Sequence, residues 1–415
     1  MEVDLHDLAR RMTAAALAAV DPERLARDEL IPRGERFGAA LAIGKAATPL
    51  ARGAREALEM GAKRLLIRPH NMPGLLDPGW EQRTGGHPLP DRQSLAAGVR
   101  LARWLAEIPP RPLLALISGG ASACVEIPAP GLTLEDLVAT QRALLASGLP
   151  IHQVNTVRKH LSRLKGGGAL RATGGRLPRI LVLLLSDVPG DDPAAVASGP
   201  FAADPTTYAE ALAAVEGLPV PEAVRSHLAV GARGEIPETV KENPSEVETV
   251  LLGSVRTAVA AAAAEARRQG LQAVDGELAG EAAQAARDLV ARGRALGAGA
   301  ALVLGGETTV ILRGETGRGG RNQELALAAA RELAGGSGEL VFTLATDGED
   351  GPTRSAGGTV DGATWEAVRR AGIDPQAALA RHDSRTALAA VPGALLETGP
   401  TGTNVGDLAV YLRLG

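Results

Sequence analysis

The sequence predicts an α/β protein of two Rossmann-like, three-layer domains, the second built on a mixed sheet. Three observations predict this. Short apolar, β-rich runs recur along the chain. Stretches rich in Ala, Leu, Arg and Glu, with helical periodicity, separate most of them. Nearly every run ends in a loop of Gly, Ser, Thr, Asp or Lys. Alternation of strand and helix, with strands apolar throughout, is the pattern of a parallel sheet covered on both faces. At 415 residues the chain exceeds one compact domain and suits two or three.

In chain order, Met1–Leu30 reads as one charged amphipathic helix without the apolar core of a secretory signal. The expected strands are Ala39–Ile43, Arg64–Ile67, Leu113–Ile117, Ile180–Leu185, Val247–Leu252, Ala301–Leu304, Thr309–Leu312 and Leu340–Ala345, with Leu408–Leu412 closing the chain. Asp91–Ile108 and Thr257–Gln269 are expected helices. Ala301–Leu304 and Thr309–Leu312 lie too close to hold a helix between them, so they are expected to form a hairpin that makes the second sheet mixed. Gly231–Glu248, polar and carrying Pro237 and Pro244, is the expected linker. It divides the chain into residues 1–236 and 247–415.

Composition excludes several functions. With 44 basic and 48 acidic residues the net charge is −4, which favours neither nucleic acid nor an anionic membrane surface. The single cysteine, Cys124, excludes an internal disulfide framework and cysteine-cluster metal sites, and suits a reducing cytoplasm. The aliphatic run Ile180–Leu185 is far short of the ~20 residues that span a bilayer. Aromatics at 2% disfavour stacking platforms, whereas 51 glycines favour ligand loops lined by backbone. Only five of the 44 basic residues are lysine (Lys45, Lys63, Lys159, Lys165 and Lys241), and asparagine is as scarce (Asn71, Asn155, Asn243, Asn322 and Asn404). Against a background drifted towards Arg and Ala, a retained Lys or Asn draws attention.

The loops at the carboxyl ends of the strands hold the candidate residues, where open α/β sheets bind ligands. Gly44–Lys45 follows the first strand and places a lysine for an anion. Ser118–Gly119–Gly120–Ala121–Ser122 offers backbone donors to phosphate, though a tight strand–helix turn would use the same residues. Asp187 and Asp191, around a Pro–Gly turn, are magnesium ligands by type; Asp192 before Pro193 reads better as a helix cap. Asp347–Gly348–Glu349–Asp350 is acidic without EF-hand spacing. His87, in Gly-Gly-His-Pro, is either catalytic or a hydrogen-bonded structural histidine. Asn155 and Lys159 lie on a basic helix that ends in Gly166–Gly168, where dipole pairing is the ordinary reading. Gly305–Gly306–Glu307 and Gly317–Arg318–Gly319–Gly320–Arg321–Asn322 flank Val310–Arg313 and combine guanidinium forks with backbone donors. Gly399–Asp407, with Thr403 and Asn404, is a polar glycine loop tied to a terminal strand. No G-x-x-x-x-G-K-[ST] occurs, and no G-x-G-x-x-G follows a strand, which disfavours both a P-loop and a nicotinamide site. Anion loops with strand-end aspartates and basic contacts fit phosphoryl transfer, which needs positioning and charge neutralisation.

Taken together, the motifs resemble the MOFRL family of class II glycerate kinases, the glycerate 2-kinase type. The matching stretches are Ile43–Ala47, Gly86–Asp91, Ile117–Ala123, Asn155–Gly168, Leu184–Thr207, Gly305–Glu324, Thr346–Gly358 and Thr398–Asp407. The resemblance spans essentially the whole chain. It implies transfer of phosphate from ATP to D-glycerate with Mg2+ or another divalent metal, giving 2-phosphoglycerate, at an active site in the cleft between the two domains. By motif, it makes Lys45 and Arg321 the catalytic basic pair. Asp187 is placed on the metal or on the attacking hydroxyl, with Asp191 beside it on the metal. Ser118, Gly119, Gly120, Ser122, His87, Asn155, Lys159, Glu307, Asn322, Asp347, Thr403 and Asn404 are then the phosphate-, nucleotide- or substrate-binding set. Relatives often carry Gly-Ser-Asn where this chain has Gly253–Ser254–Val255, so that loop is left out of the site. A homodimer is an open alternative to a monomer. The rival activity is that of a hydroxypyruvate reductase, against which the missing dinucleotide fingerprint speaks.

Overall fold

A computed structural model describes residues 4–312 and 316–415. Met1–Val3 and Arg313, which fall within elements expected above, lie outside the described residues. Two compact units result, one of Pro22–Leu252 and one of the N-terminal segment to Asp21 with Gly253–Gly415.

The first unit is built on β1 (Phe37–Ile43), β2 (Leu58–Pro69), β3 (Glu81–Gly85), β4 (Leu113–Ser118), β5 (Ile180–Leu185) and β6 (Val247–Gly253), in the order β3-β2-β1-β4-β5-β6. Strands β3 through β5 of this order pair in parallel. Every residue of β1, β4 and β5 is buried, as continuous Ala/Leu/Ile/Val runs require when helices cover both faces. On one face, alternate strand residues such as Leu41, Ala115 and Val182 pack with Leu101, Trp104 and Leu105 of the helix Arg92–Glu107. That helix opens on a capping box between Asp91 and Ser94. A separate helical layer joins Leu137 and Leu144 to Val157, Tyr208 and Leu228.

The second unit holds β7 (Gln272–Leu278), β8 (Ala300–Gly306), β9 (Glu339–Ala345), β10 (Gly357–Asp361), β11 (Leu395–Leu396) and β12 (Asp407–Arg413), in the order β11-β10-β9-β12-β8-β7. Here β7 and β8 are parallel, while β12 runs antiparallel to both β8 and β9. Leu325–Ala330 of the helix Arg321–Leu333 packs with Leu304, Val341 and Tyr411 in the core.

The α/β class with one mixed sheet is therefore observed, but several details differ from expectation. The second sheet is mixed because of β10 and β12, not because of a hairpin: Thr309 makes only a bridge to Glu281 and Thr309–Leu312 forms no strand. The N-terminal helix is two helices, Leu5–Ala19 and Pro22–Arg33, interrupted where Asp21 precedes a proline. The first of these belongs to the second unit, so that unit is not contiguous in sequence. β6 joins the first sheet rather than opening the second domain. The Ile180 N–H donates to Glu246 O at 2.8 Å, and Glu248 accepts from Arg33 at 2.8 Å and Arg179 at 2.5 Å, anchoring the segment there.

Close packing sets one stability test. A Cβ on Gly98 would meet Glu126 O at 2.2 Å. Alanine gains ~1 kcal/mol of helix propensity over glycine, but a backbone oxygen cannot rotate away, and overpacking costs ~1–3 kcal/mol or more. Gly98→Ala is expected to lose about 2 kcal/mol net, read as a lower urea midpoint at unchanged slope; a midpoint at or above wild type shows that the helix can shift.

Candidate active site

The register of β1, β4 and β5 brings three loops together in the first unit. Ile43 lies beside Ile117, and Ser118 beside Leu185, so the segments after them emerge side by side. The Lys45 N–H donates to Gly119 O at 2.9 Å, and the Ala46 N–H to Ser118 Oγ at 3.0 Å. Gly44 has φ +117, and a Cβ there would lie 2.4 Å from Ser118 Oγ. A Cβ on Gly119 would lie 1.8 Å from Asp187 Oδ2; one on Gly120 would lie 2.9 Å from Lys45 Cγ and 3.4 Å from His87 Cδ2. Lys45, His87 and Asp187 thus lie against the Gly119–Gly120 backbone; Lys45 and Asp187 follow expected strands, whereas His87 follows β3, which was not expected. Of the helix or turn expected after this loop, the single helical turn Ala121–Cys124 forms, so what the loop offers an anion is its own amides rather than the terminus of a long helix.

His87 is positioned from behind. The Gly86 N–H donates to Asp91 Oδ1 at 3.2 Å and to Ser94 Oγ at 2.9 Å. Burial pushes the Asp91 carboxyl up, but hydrogen bonds from His70, Ser94 and Gly86 outweigh it and hold the pKa at about 2.

Ser122 Oγ lies 2.9 Å from Ser198 Oγ, which donates to Asn155 Oδ1 at 3.1 Å. Ala197, Ser198 and Gly199 are successively left-handed, at φ 55, 61 and 63. Asn155 also donates to Ala195 O at 3.4 Å, so it holds this strained turn beneath Ser122. Lys159 is placed otherwise than the sequence suggested: its Nζ pairs with Asp204 Oδ1 at 3.1 Å, and both side chains are sealed from solvent. Asp191 lies at φ 56 on the turn after Asp187. Asp192 Oδ1 accepts from the Ala194 N–H at 2.9 Å, closing an Asx turn rather than the helix cap expected of it, since only a turn follows before the short 3-10 helix Val196–Ser198.

The second unit has its own polar cluster at the ends of β8 and β9 and the start of β12, where Asp407 lies beside both Gly306 and Ala345. Arg321 Nε donates to Asp407 Oδ2 at 2.5 Å, and Nη1 to Glu307 Oε1. Burial works against the charged guanidinium, but Asp407 and Glu307 outweigh it and raise its pKa. The fork expected to be open is therefore already paired. Asp350 accepts from the N–H groups of Asn322 at 3.1 Å and Gln323 at 2.8 Å, at the start of the helix Arg321–Leu333. The loop of Thr403 and Asn404 is tied down: Thr401 Oγ1 donates to Thr346 O at 2.5 Å, Thr403 Oγ1 to Val20 O at 2.9 Å, and the Thr401 N–H to Asp347 O at 3.4 Å. Val259 and Val255 together fill the space over Gly305, where a Cβ would lie 2.4 and 2.8 Å from their Cγ2 atoms. Asp350, Asp407 and Ser198 were passed over as site residues. Rarity singled out Lys and Asn, whereas aspartate and serine are common here, and no local pattern marks a carboxylate that will be buried beside an arginine.

Burial pushes Asp350 up to about 6 and Asp407 up to about 7, against the amides and Arg321 that oppose it. Asp350 then holds a proton more tightly folded than unfolded, a contribution to stability that is full below about pH 4 and is lost as pH rises through about 6. For Asp350 two pKa units correspond to about 3 kcal/mol. Amide exchange in the helix Arg321–Leu333 should therefore speed up from pH 4 to 7 beyond its chemical rate. Asp350→Asn is expected to flatten the rise between pH 4 and 6; an unchanged profile removes Asp350 from this account.

A domain of unknown function, DUF4147, matches residues 8–229, and the MOFRL family matches residues 300–407. Glycerate 2-kinase of Pyrococcus horikoshii is 38% identical, over 99% of this chain and 98% of its own. D-glycerate 2-kinase of Thermotoga maritima is 37% identical over 98% of each. A putative hydroxypyruvate reductase of Agrobacterium vitis is 38% identical over 99% of this chain and 95% of its own. The crystal structure of glycerate kinase from Thermotoga maritima superposes with a TM-score of 0.86 at 36% identity, over 99% of both chains. With both domains matched in order and relatives of this identity along nearly its whole length, the chain belongs to the MOFRL family of glycerate kinases.

Proposed function

We propose that the protein transfers the terminal phosphoryl group of ATP to the 2-hydroxyl of D-glycerate with the help of a divalent cation. The observation that carries this reading is the convergence of Lys45, His87 and Asp187 on the Gly119–Gly120 backbone, in a chain whose relatives are named glycerate kinases. Loop amides and an ammonium are the groups that stabilise charge on a phosphoryl group in flight.

Each residue then has a task. Lys45 neutralises phosphate oxygens held by the amides of Gly119 and Gly120, with Ser118 fixing the loop to Gly44 and Ala46. Asp187 orients the attacking hydroxyl or holds the cation, and His87, which like Lys45 lies against Gly120, contacts the substrate. Glu307 is half exposed, so its bond to Arg321 is screened and exchangeable; Asp407 is buried and stays. Arg321 therefore swaps Glu307 for a phosphate while Asp407 keeps the guanidinium aimed. Asp347 follows β9, Thr403 and Asn404 precede β12, and Asn322 opens the helix Arg321–Leu333; these are the second unit's own candidate binding residues.

Among the described residues no three His, Cys, Asp or Glu side chains gather into a metal cage. This donor set fits magnesium, which accepts one or two carboxylates and otherwise takes water and phosphate oxygens. Asp187 and Asp191 would hold it, and the cation would offset charge on the phosphates.

The rival reading comes from relatives named putative hydroxypyruvate reductase. It lacks a nicotinamide fingerprint after β1, where Gly44–Lys45–Ala46 stands instead. ADP release dependent on D-glycerate, with 2-phosphoglycerate identified by phosphorus NMR, is expected. NAD(P)H oxidation by hydroxypyruvate without ADP formation overturns the proposal.

Lys45→Ala and Arg321→Ala should each lower kcat/KM about 10^2- to 10^3-fold, the loss typical of one charge-stabilising donor. Glu307→Gln should leave kcat within a few-fold; a collapse as deep as that of Arg321→Ala would show that Glu307 does not leave. Asp187→Asn should shift the midpoint of a magnesium titration upward about tenfold, the effect of losing one charged ligand, and an unmoved midpoint makes Asp187 structural.

A further inference from the structure

The helix Ile151–His160 carries a second cation to which the mechanism above gives no task. Arg158 Nε donates to Gln141 Oε1 at 2.8 Å, and Nη1 to Asn155 Oδ1 at 3.4 Å. Both partners are neutral. Its neighbour Lys159 has a carboxylate of its own, Asp204 at 3.1 Å. The acid nearest in effect to Arg158 is Glu126, which offsets only part of the burial that works against the guanidinium's charge. Glu126 is already engaged: it accepts from Lys165 Nζ, from Ser162 Oγ and, at 3.1 Å, from the Ile127 N–H. Two cations, Lys165 and Arg158, therefore share one carboxylate in a largely enclosed place. An uncompensated buried charge is costly, and an arriving anion would remove that cost.

There is room for such a group. Arg158 is half-buried and lines a small pocket of about 20 Å³ together with Ser122, Thr140 and Gln141, the apolar Leu137, Leu144 and Leu161, and Glu126, whose carboxylate is already engaged by Lys165 and Ser162. That volume takes one water-sized group, enough for one oxygen of a carboxylate whose other oxygen stays outside it. The pocket belongs to the glycine loop, since Ser122 stands two residues after Gly120. A polar chain runs from Ser122 through Ser198 and Asn155 to Arg158, so the strained Ser198 turn fixes the guanidinium and the loop relative to each other.

We infer that Arg158 binds the carboxylate of the acceptor, together with Ser122, and so sets the specificity of the enzyme for hydroxy acids over neutral alcohols. The planar fork of arginine matches a carboxylate with two parallel hydrogen bonds. Anchored there, a short hydroxy acid directs its adjacent hydroxyl to the Gly119–Gly120 loop, where Lys45 and Asp187 act. The inference rests on the acceptor being a hydroxy acid such as D-glycerate. The other anion source is a phosphate of the nucleotide, and the test separates the two.

Calorimetric titration of the full-length protein with D-glycerate alone, and separately with Mg-ATP, is compared for wild type, Arg158→Gln and Arg158→Lys, alongside KM for each substrate. Arg158→Gln should weaken D-glycerate binding and raise its KM about 100-fold, with Mg-ATP affinity within twofold. Arg158→Lys should recover part of the loss, because it keeps the charge without the fork. Wild type should prefer D-glycerate to its amide, glyceramide, and Arg158→Gln should lose that preference. An unchanged D-glycerate affinity in either variant, or a loss confined to Mg-ATP, overturns the inference. If Arg158→Gln does not fold, Arg158→Lys decides, with a loss of at least about tenfold expected. Arg158-dependent binding of D-glycerate without ADP release would refute the kinase reading and leave this inference standing. Turnover with an unaltered KM in the variants would do the reverse.

Discussion

The constraint on which the first unit depends is the absence of a side chain at Gly119. Adjacent parallel strands lie ~4.8 Å apart, so the loops leaving β1, β4 and β5 must cross within hydrogen-bond reach of one another. Asp187 Oδ2 occupies the space where a Cβ on Gly119 would be, and Lys45 and His87 close on Gly120 in the same way. Any other residue at Gly119 would push the carboxylate away from the backbone amides it flanks. Fully buried β1, β4 and β5 supply the rigidity: their ends cannot drift, so neither can the groups mounted on them. The sheet core and the site are one mechanical object.

How far this was readable in advance depended on whether the signal was local. Runs such as Ile180–Leu185 identify buried strands because nothing else in a soluble α/β chain is so uniformly aliphatic. Residues directly after such runs, including Lys45, Ser118 and Asp187, inherit their placement from the strand. Elements set by long-range pairing were not readable. Val247–Gly253 is amphipathic enough to open a second domain, and it joins the first sheet only because β5 offers an edge and Arg33 and Arg179 hold Glu248 there. The helix Leu5–Ala19 likewise packs with Val255–Arg268, far away in sequence. The mixed character of the second sheet was inferred from the spacing of Thr309–Leu312, but it arises from β10 and β12, whose partners spacing cannot reveal.

The rarity of lysine is an ambiguous guide to chemistry. Lys45 stands against the glycine loop, while Lys63 is simply exposed. Lys159 and Lys165 are retained for another reason: each neutralises a carboxylate within the fold, Asp204 and Glu126 respectively. Removing either partner of such a pair strands a buried charge, which constrains a residue as firmly as catalysis does. Glycine abundance has the same ambiguity. Gly270 and Gly372 are left-handed at helix ends with open space around them, where only backbone conformation requires glycine. Composition therefore located a class of residue without separating its structural members from its chemical ones.

Charge accounting makes that separation where composition and motif do not. Arg321 sits in a recognised motif and has the appearance of an anion fork, yet its Nε is held by Asp407 and its Nη1 by Glu307, so a phosphate would meet a guanidinium that already has two counter-charges. Arg158 lies in a helix whose basic residues look like ordinary dipole partners, yet its hydrogen bonds go to two amide oxygens, and Glu126, the acid that offsets its burial, is bonded to Lys165. The first arginine is balanced before substrate arrives; the second is balanced only when an anion does. A group that gains its counter-charge on binding contributes directly to affinity, whereas one that exchanges partners contributes mainly through the difference between them. By that argument the acceptor's carboxylate is recognised chiefly in the first unit, beside the glycine loop, and Arg321 is better suited to charge that appears and moves during transfer than to ground-state binding.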